Sequence, residues 1–192
     1  ARDLKKVVTT EFNIEGNPFE GPMGDYPGFI QLVEAVKPDQ CTLVPDAQDQ
    51  LTSDHGWDLA VDGERLRPII AQLKQLGIRV SLFMDAESTE FELAKELGAD
   101  RIELYTERYA DSYGSAEQQQ VFEEFADAAK RAAAAGLGVN AGHDLNLDNL
   151  GLMATIENLE EVSIGHALVA DALMMGLGSA VAAYKKILVE AE

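Results

Sequence analysis

A single cysteine, Cys41, stands among 192 residues, so no disulfide can close within the chain and no thiolate cluster can hold a metal. That scarcity fits a reducing compartment such as the cytoplasm. Cations are also few: 15 Lys and Arg face 34 Asp and Glu, a formal net charge of −19. Such a field repels phosphate backbones and argues against nucleic acid as a partner. A phosphorylated small molecule would have to be held by local backbone N–H groups and a few side chains, against the overall charge. No run of about 18 uncharged apolar residues is present. The nearest approach, Ala167 to Tyr184, carries Asp171 and many small residues, so no membrane partner is expected. The phosphate loops G-x-G-x-x-G and G-x-x-x-x-G-K-[ST] are missing as well.

What is present is a repeated alternation. The 46% hydrophobic content suffices for a buried core, and the length suits one domain across residues 1–192. Short apolar runs predict strands over Glu11–Glu15, Gln40–Pro45, Arg79–Asp85, Arg101–Thr106, Gly138–His143 and Glu161–Ala167. Their near-continuous apolarity predicts burial on both faces. Helical spacing relates Phe29, Leu32, Val33 and Val36, and again Leu66, Ile69, Ile70 and Leu73. Ser115–Ala135 and Ala172–Val189 read as long helices, and Asp3–Thr9 as a helical start. Gly77, Gly98 and Gly136 each follow a helical pattern and precede a strand, as helix-ending glycines do. Six βα units in series predict a parallel α/β sheet, either doubly wound or barrel-shaped. Polar candidates after nearly every strand favour the (β/α)8 TIM barrel. Eight units are needed for closure, so about two N-terminal units, on the order of 50–60 residues, are expected outside this sequence.

Barrel chemistry sits where strands end. Glu15 would point into the mouth, where desolvation could make it a general base; the alternative is a solvated loop residue. Glu103 lies between Ile102 and Leu104, where a charge is costly unless it is paired, with Arg101 for example, or functional. His143 and His166 each follow a glycine at a strand end, where a histidine can donate a hydrogen bond or carry a proton. Barrels often bind phosphate after their last two strands. Asp85 reads as a cap of the following helix, with Ser88 a rival, or as a substrate ligand. Thr52 and Ser53 lie in a polar loop that could close as a lid; His55, in the same loop, reads as a surface residue. Thr106 is a candidate substrate ligand and Arg108 a candidate phosphate partner. Glu15, Asp85, Glu103, His143 and His166 could surround a divalent ion, though no compact ligand motif supports that. No lysine ends a strand, so an enzyme-bound Schiff base is not favoured.

The segments NIEG, LVP followed by a Thr/Ser loop, VSLFMDA, IELYT followed by YAD, VNAGHDL and SIGHALVADA resemble, in order and spacing, the pyridoxine 5′-phosphate synthase family. The resemblance runs along essentially the whole sequence. It implies a (β/α)8 barrel whose extra helices build a homo-octamer, working without metal or organic cofactor. It also implies condensation of 1-deoxy-D-xylulose 5-phosphate with 3-amino-2-oxopropyl phosphate to pyridoxine 5′-phosphate, phosphate and water. Carried over, Glu15 is the principal acid–base group, Glu103 the second glutamate and His143 the histidine of the seventh strand. Gly165 and His166 match the phosphate loop, with a backbone contact at Asp144, and Thr52 matches the closing loop. Three departures stand out. The family's Thr-Thr reads Thr52-Ser53, its usual glycine after the histidine is Asp144, and Tyr105 replaces a frequent histidine. The family's first two strands bring an asparagine, an aspartate, histidines and arginines that this sequence does not contain. Two other readings remain open: a metal-dependent sugar-phosphate isomerase or epimerase, and a non-catalytic barrel remnant serving binding or assembly.

Overall fold

Three glycines set where helices stop and strands begin. Gly77, Gly98 and Gly136 take φ of 78°, 103° and 81°, the left-handed turn that side chains disfavour and glycine tolerates. The computed structural model describes residues 1–47 and 50–191. Along the chain run α1 (Arg2–Val7), β1 (Asn13–Gly16), α2 (Phe29–Val36), β2 (Gln40–Leu43) and α3 (Leu59–Gln75). Then come β3 (Arg79–Met84), α4 (Phe91–Leu97), β4 (Arg101–Tyr105), α5 (Glu107–Ser112), α6 (Gln118–Ala134) and β5 (Gly138–Gly142). The last elements are α7 (Leu150–Met153), β6 (Leu159–Ser163), α8 (His166–Met175) and α9 (Leu177–Ala191). Among the described residues no helix is long and apolar enough to cross a membrane.

The six strands are all parallel and lie in chain order. Right-handed crossovers between sequential neighbours put every connecting helix on one face. That face is apolar: Cys41, Leu43, Val80, Leu82, Met84, Ile102, Leu104, Val139 and Ala141 join one core with Leu66, Ile70, Phe91, Phe125 and other helix residues. The opposite face carries mostly polar side chains, and along β2 to β5 it too is buried, as the expectation of burial on both faces has it; β1 and β6 are only partly so. Gln40, Thr42, Ser81, Glu103 and Asn140 are buried there.

The sheet is also curled. Neighbouring strands stand about 4.8 Å apart, so β2 and β6 would be roughly 19 Å apart in a flat sheet. Yet the Gln40 amide of β2 donates to the Glu161 carboxylate of β6 at 3.2 Å. The polar face is therefore the inside of a half-barrel.

Two boundaries differ from expectation near the C-terminus. The last strand ends at Ser163, and His166 opens α8 rather than ending a strand. Gly176, with φ 86° and ψ 142°, divides the long helix expected over Ala172–Val189 into α8 and α9. Asp85 does not cap α4; its carboxylate accepts the Gly56 N–H at 3.0 Å. Ser88 accepts the Glu90 N–H just ahead of the helix at 3.2 Å.

Glu90 itself caps a neighbour. Its carboxylate accepts the first-turn N–H groups of α3, Leu59 at 2.7 Å and Ala60 at 3.0 Å, donors with no partner within the helix. Glu90→Ala is expected to lower stability by about 1–2 kcal/mol, and Glu90→Gln by less. A urea titration checks this, and an unchanged midpoint for the alanine variant would contradict it.

Candidate active site

Period-two alternation stacks the inner side chains in layers. At the strands' N-terminal end Arg79 donates to Gln40 at 2.7 Å and to Glu11. Arg101 donates to Asn140 at 2.8 Å and pairs with Glu160 at 2.7 Å. Both arginines are thus committed at the floor, and Arg101 is not the partner of Glu103.

One layer up, Glu103 is 1% exposed and its carboxylate accepts the Thr42 hydroxyl at 3.2 Å. Burial first, and the charge of Glu15 second, raise its pKa to about 8, while hydrogen bonds from Ser163 and Thr42 oppose the rise. Glu15 is moved in the same direction, by desolvation and then by the charge of Asp46, with His143 acting against it. Glu15 remains open to water at the sheet edge, which screens part of that effect. The charge of Glu15 acts on Glu103, so ionising one carboxyl favours the proton on the other. Gly142 makes room for Glu103: a Cβ there would run into Glu103 Oε1.

At the top of the strands Phe83 and Tyr105 pack with ring centroids 5.3 Å apart, and His143 meets the edge of Tyr105 at 5.2 Å. His143 and Asp144 take φ of 82° and 57°, an uncommon conformation for residues with side chains, of the kind held where function requires it. Thr106 holds that bend. It is fully buried, and its hydroxyl reaches the carbonyls of Gly142, at 2.8 Å, and His143. It is therefore a brace rather than the substrate ligand expected.

The loop after β2 lies over this end. Thr52 Oγ1 is 2.6 Å from His143 Nε2. Ser53 is held at both ends, its hydroxyl donating to Asp46 at 2.7 Å and its carbonyl accepting from the Tyr105 hydroxyl at 3.0 Å. Tyr105 thus anchors the loop. Gly56 closes the loop against the end of β3, where a Cβ would sit 2.4 Å from the Asp85 nitrogen.

Glu15, Glu103, His143, Gly165 and His166 line one cavity of about 230 Å³, together with Phe83, Ser163 and Ile164. Thr52 and Asp144 reach it through His143. Gly165 is the N-cap of α8, makes no side-chain cap bond and has open space around it, which leaves the helix's first N–H groups free to meet an anion. The remaining candidates lie elsewhere. Arg108 pairs with Glu87 and Glu124 at the surface, which removes it as a phosphate partner, and His55 bonds to its neighbour Asp54. Among the described residues no group of three His, Cys, Asp or Glu is arranged to hold a metal ion. Sequence reasoning passed over Thr42, Asp46, Phe83 and Ser163; the period-two step from Gln40 to Thr42 and from Glu161 to Ser163 was the available signal.

Comparison with known proteins adds to this geometry. The family model described as pyridoxal phosphate biosynthesis protein PdxJ matches residues 1–190. The chain belongs to the PdxJ family. A relative from Xanthomonas axonopodis pv. citri named pyridoxine 5′-phosphate synthase is 55% identical over 186 residues, 96% of this chain and 73% of that protein. A protein of the same name from Cytophaga hutchinsonii is 52% identical over 185 residues, with 96% and 74% covered. Among solved structures the tryptophan synthase α-subunit of Pyrococcus furiosus superposes with a TM-score of 0.59 at 14% identity, covering 98% of this chain and 70% of that one. This last likeness concerns fold alone, and it sets the PdxJ half-barrel among TIM-barrel-like structures.

The raised pKa of Glu103 has a consequence for stability. Between the ordinary carboxylate value of 4.5 and about 8, the folded chain keeps a proton that the unfolded chain has lost. Stability therefore falls as pH rises through that window. Glu103→Gln removes this loss, so the variant should match the parent near pH 5 and exceed it by roughly 1–3 kcal/mol near pH 8.5. Thermal melts across that range check the prediction, and parallel curves would contradict it.

Proposed function

We propose that Glu15, Glu103 and His143 carry the protons of the family's reaction, and that Thr52, Asp144, Gly165 and His166 hold its phosphorylated substrates. The chain has the pyridoxine 5′-phosphate synthase activity of its family, a step of vitamin B6 biosynthesis. That activity condenses 1-deoxy-D-xylulose 5-phosphate with 3-amino-2-oxopropyl phosphate and releases pyridoxine 5′-phosphate, phosphate and water. The observation that carries the residue roles is two coupled carboxylates of raised pKa in the same cavity as two histidines.

The chemistry asks for that set. The amine of one substrate attacks the ketone of the other, and water leaves to give an imine between substrates. Glu15, near its own pKa at neutral pH, can take the amine proton and return it to the departing hydroxyl. Loss of phosphate follows, and the N–H groups at the start of α8 would stabilise the leaving oxyanion. Water addition, ring closure and two further dehydrations, which bring the net release to two waters, each move a proton, for which Glu103 and His143 stand within the same cavity. The loop around Thr52 would keep bulk water from the imine.

The half-barrel is read as six units of a (β/α)8 barrel. Strands in chain order, an inward curl and relatives of which this chain spans 73% support that reading. The homo-octamer is supported by apolar side chains exposed on α8 and α9, among them Leu173, Met174 and Leu177. A cytoplasmic location is in keeping with one buried cysteine.

Glu15→Gln should fold normally and lose roughly 10²–10⁴-fold in turnover. The assay follows pyridoxine 5′-phosphate by absorbance with both substrates present. Near-parental turnover by the folded variant would overturn the role given to Glu15.

A further inference from the structure

Asp144 follows the β5 histidine at a position expected to offer only its backbone to phosphate. Its side chain is engaged elsewhere. Oδ2 lies 2.6 Å from His143 Nδ1, and Oδ1 lies 3.2 Å from His166 Nε2. One carboxylate therefore spans the two histidines of the cavity, which come from β5's end and from the first turn of α8. Their rings stand 5.8 Å apart, too far to bond to each other directly.

We propose that Asp144 is a positioning residue that sets the tautomer of His143 and ties His166 to it. The proposal rests on His143 being a proton carrier, and deepens that reading. A carboxylate can only accept, so His143 Nδ1 must carry the hydrogen of its bond to Asp144; His166 Nε2 stands beside the other oxygen as an ion-pair contact. With Nδ1 protonated, neutral His143 keeps its lone pair on Nε2. Nε2 is the atom that Thr52 reaches at 2.6 Å, so the Thr52 hydroxyl donates to it when the loop is closed. A substrate that displaces Thr52 meets the same lone pair. Nε2 then takes a proton from the substrate, Nδ1–H stays on Asp144, and the proton on Nε2 is handed to the next leaving hydroxyl.

The backbone explains why aspartate suits the place. At φ 57° most side chains are disfavoured, whereas Asp and Asn are several-fold enriched in that region. The side chain is 27% exposed and that of His143 15%, so the Asp144–His143 bond is shielded enough to hold one orientation. One carboxylate oxygen meets the His143 N–H, and the other lies 3.2 Å from His166 Nε2.

The test uses the full chain labelled with ¹⁵N-histidine at neutral pH, with signals assigned by replacing each of His55, His143 and His166 in turn. Two-bond ¹H–¹⁵N correlations report which ring nitrogen carries the hydrogen. The parent should show His143 as the Nδ1–H form. Asp144→Ala should shift it to the mixture of a free imidazole, and Asp144→Asn, which keeps one acceptor, should shift it less. Turnover of the alanine variant should fall roughly ten- to a hundred-fold, the scale on which outer partners of a working histidine act, a larger change than in KM for either substrate. Persistence of the Nδ1–H form in folded Asp144→Ala overturns the proposal whatever the kinetics. A tautomer that shifts while turnover stays constant supports the positioning and counts against His143 as proton carrier.

Discussion

Two carboxylates, Glu15 and Glu103, share a cavity in which no arginine or lysine lines the wall among the described residues. Glu15 and Glu103 repel each other, and Glu103 is cut off from water while Glu15 is only partly so, so neither holds its charge as cheaply as in solution. The nearby arginines cannot relieve them. Arg79 and Arg101 are engaged one layer below by Glu11, Glu160 and Glu161. That arrangement holds protons near neutrality, which suits a reaction made of repeated proton transfers.

The rest of the fold serves that pair. The curl of the sheet brings β1, β4, β5 and β6 to one trough, and strict sequential order leaves the trough free of helices. Gly142 clears the volume that Glu103 occupies. Thr106 braces the bent backbone that presents His143, and Tyr105 anchors the loop that carries Thr52. In a chain of net charge −19, the start of α8 supplies local positive potential without a cationic side chain.

Much of this was legible in the residues. Short apolar runs and the glycines Gly77, Gly98 and Gly136 marked strands and helix ends, because left-handed stops and strand length are local properties. The polar inner face was harder to see, since Thr42, Ser81 and Ser163 are small and near neutral in hydropathy and do not break an apolar run. Contacts that depend on curvature were not legible at all. Gln40 meets Glu161 across 121 residues of sequence, and Asp85 turns to Gly56 rather than to the helix that follows it. Strand-end position picked out Glu15 and His143, and a charge set inside an apolar run picked out Glu103. It misjudged His166, whose helical start follows from the backbone turn at Gly165 rather than from any side-chain pattern.

The coupled pair can be observed directly by a ¹³C titration of the glutamate carboxyls in the full chain. Two carboxyls should titrate far above the ordinary 4.5, near neutral pH, and Glu15→Gln should lower the one that remains, because the charge of Glu15 helps to raise Glu103. A titration in which every glutamate falls close to 4.5 would contradict the account.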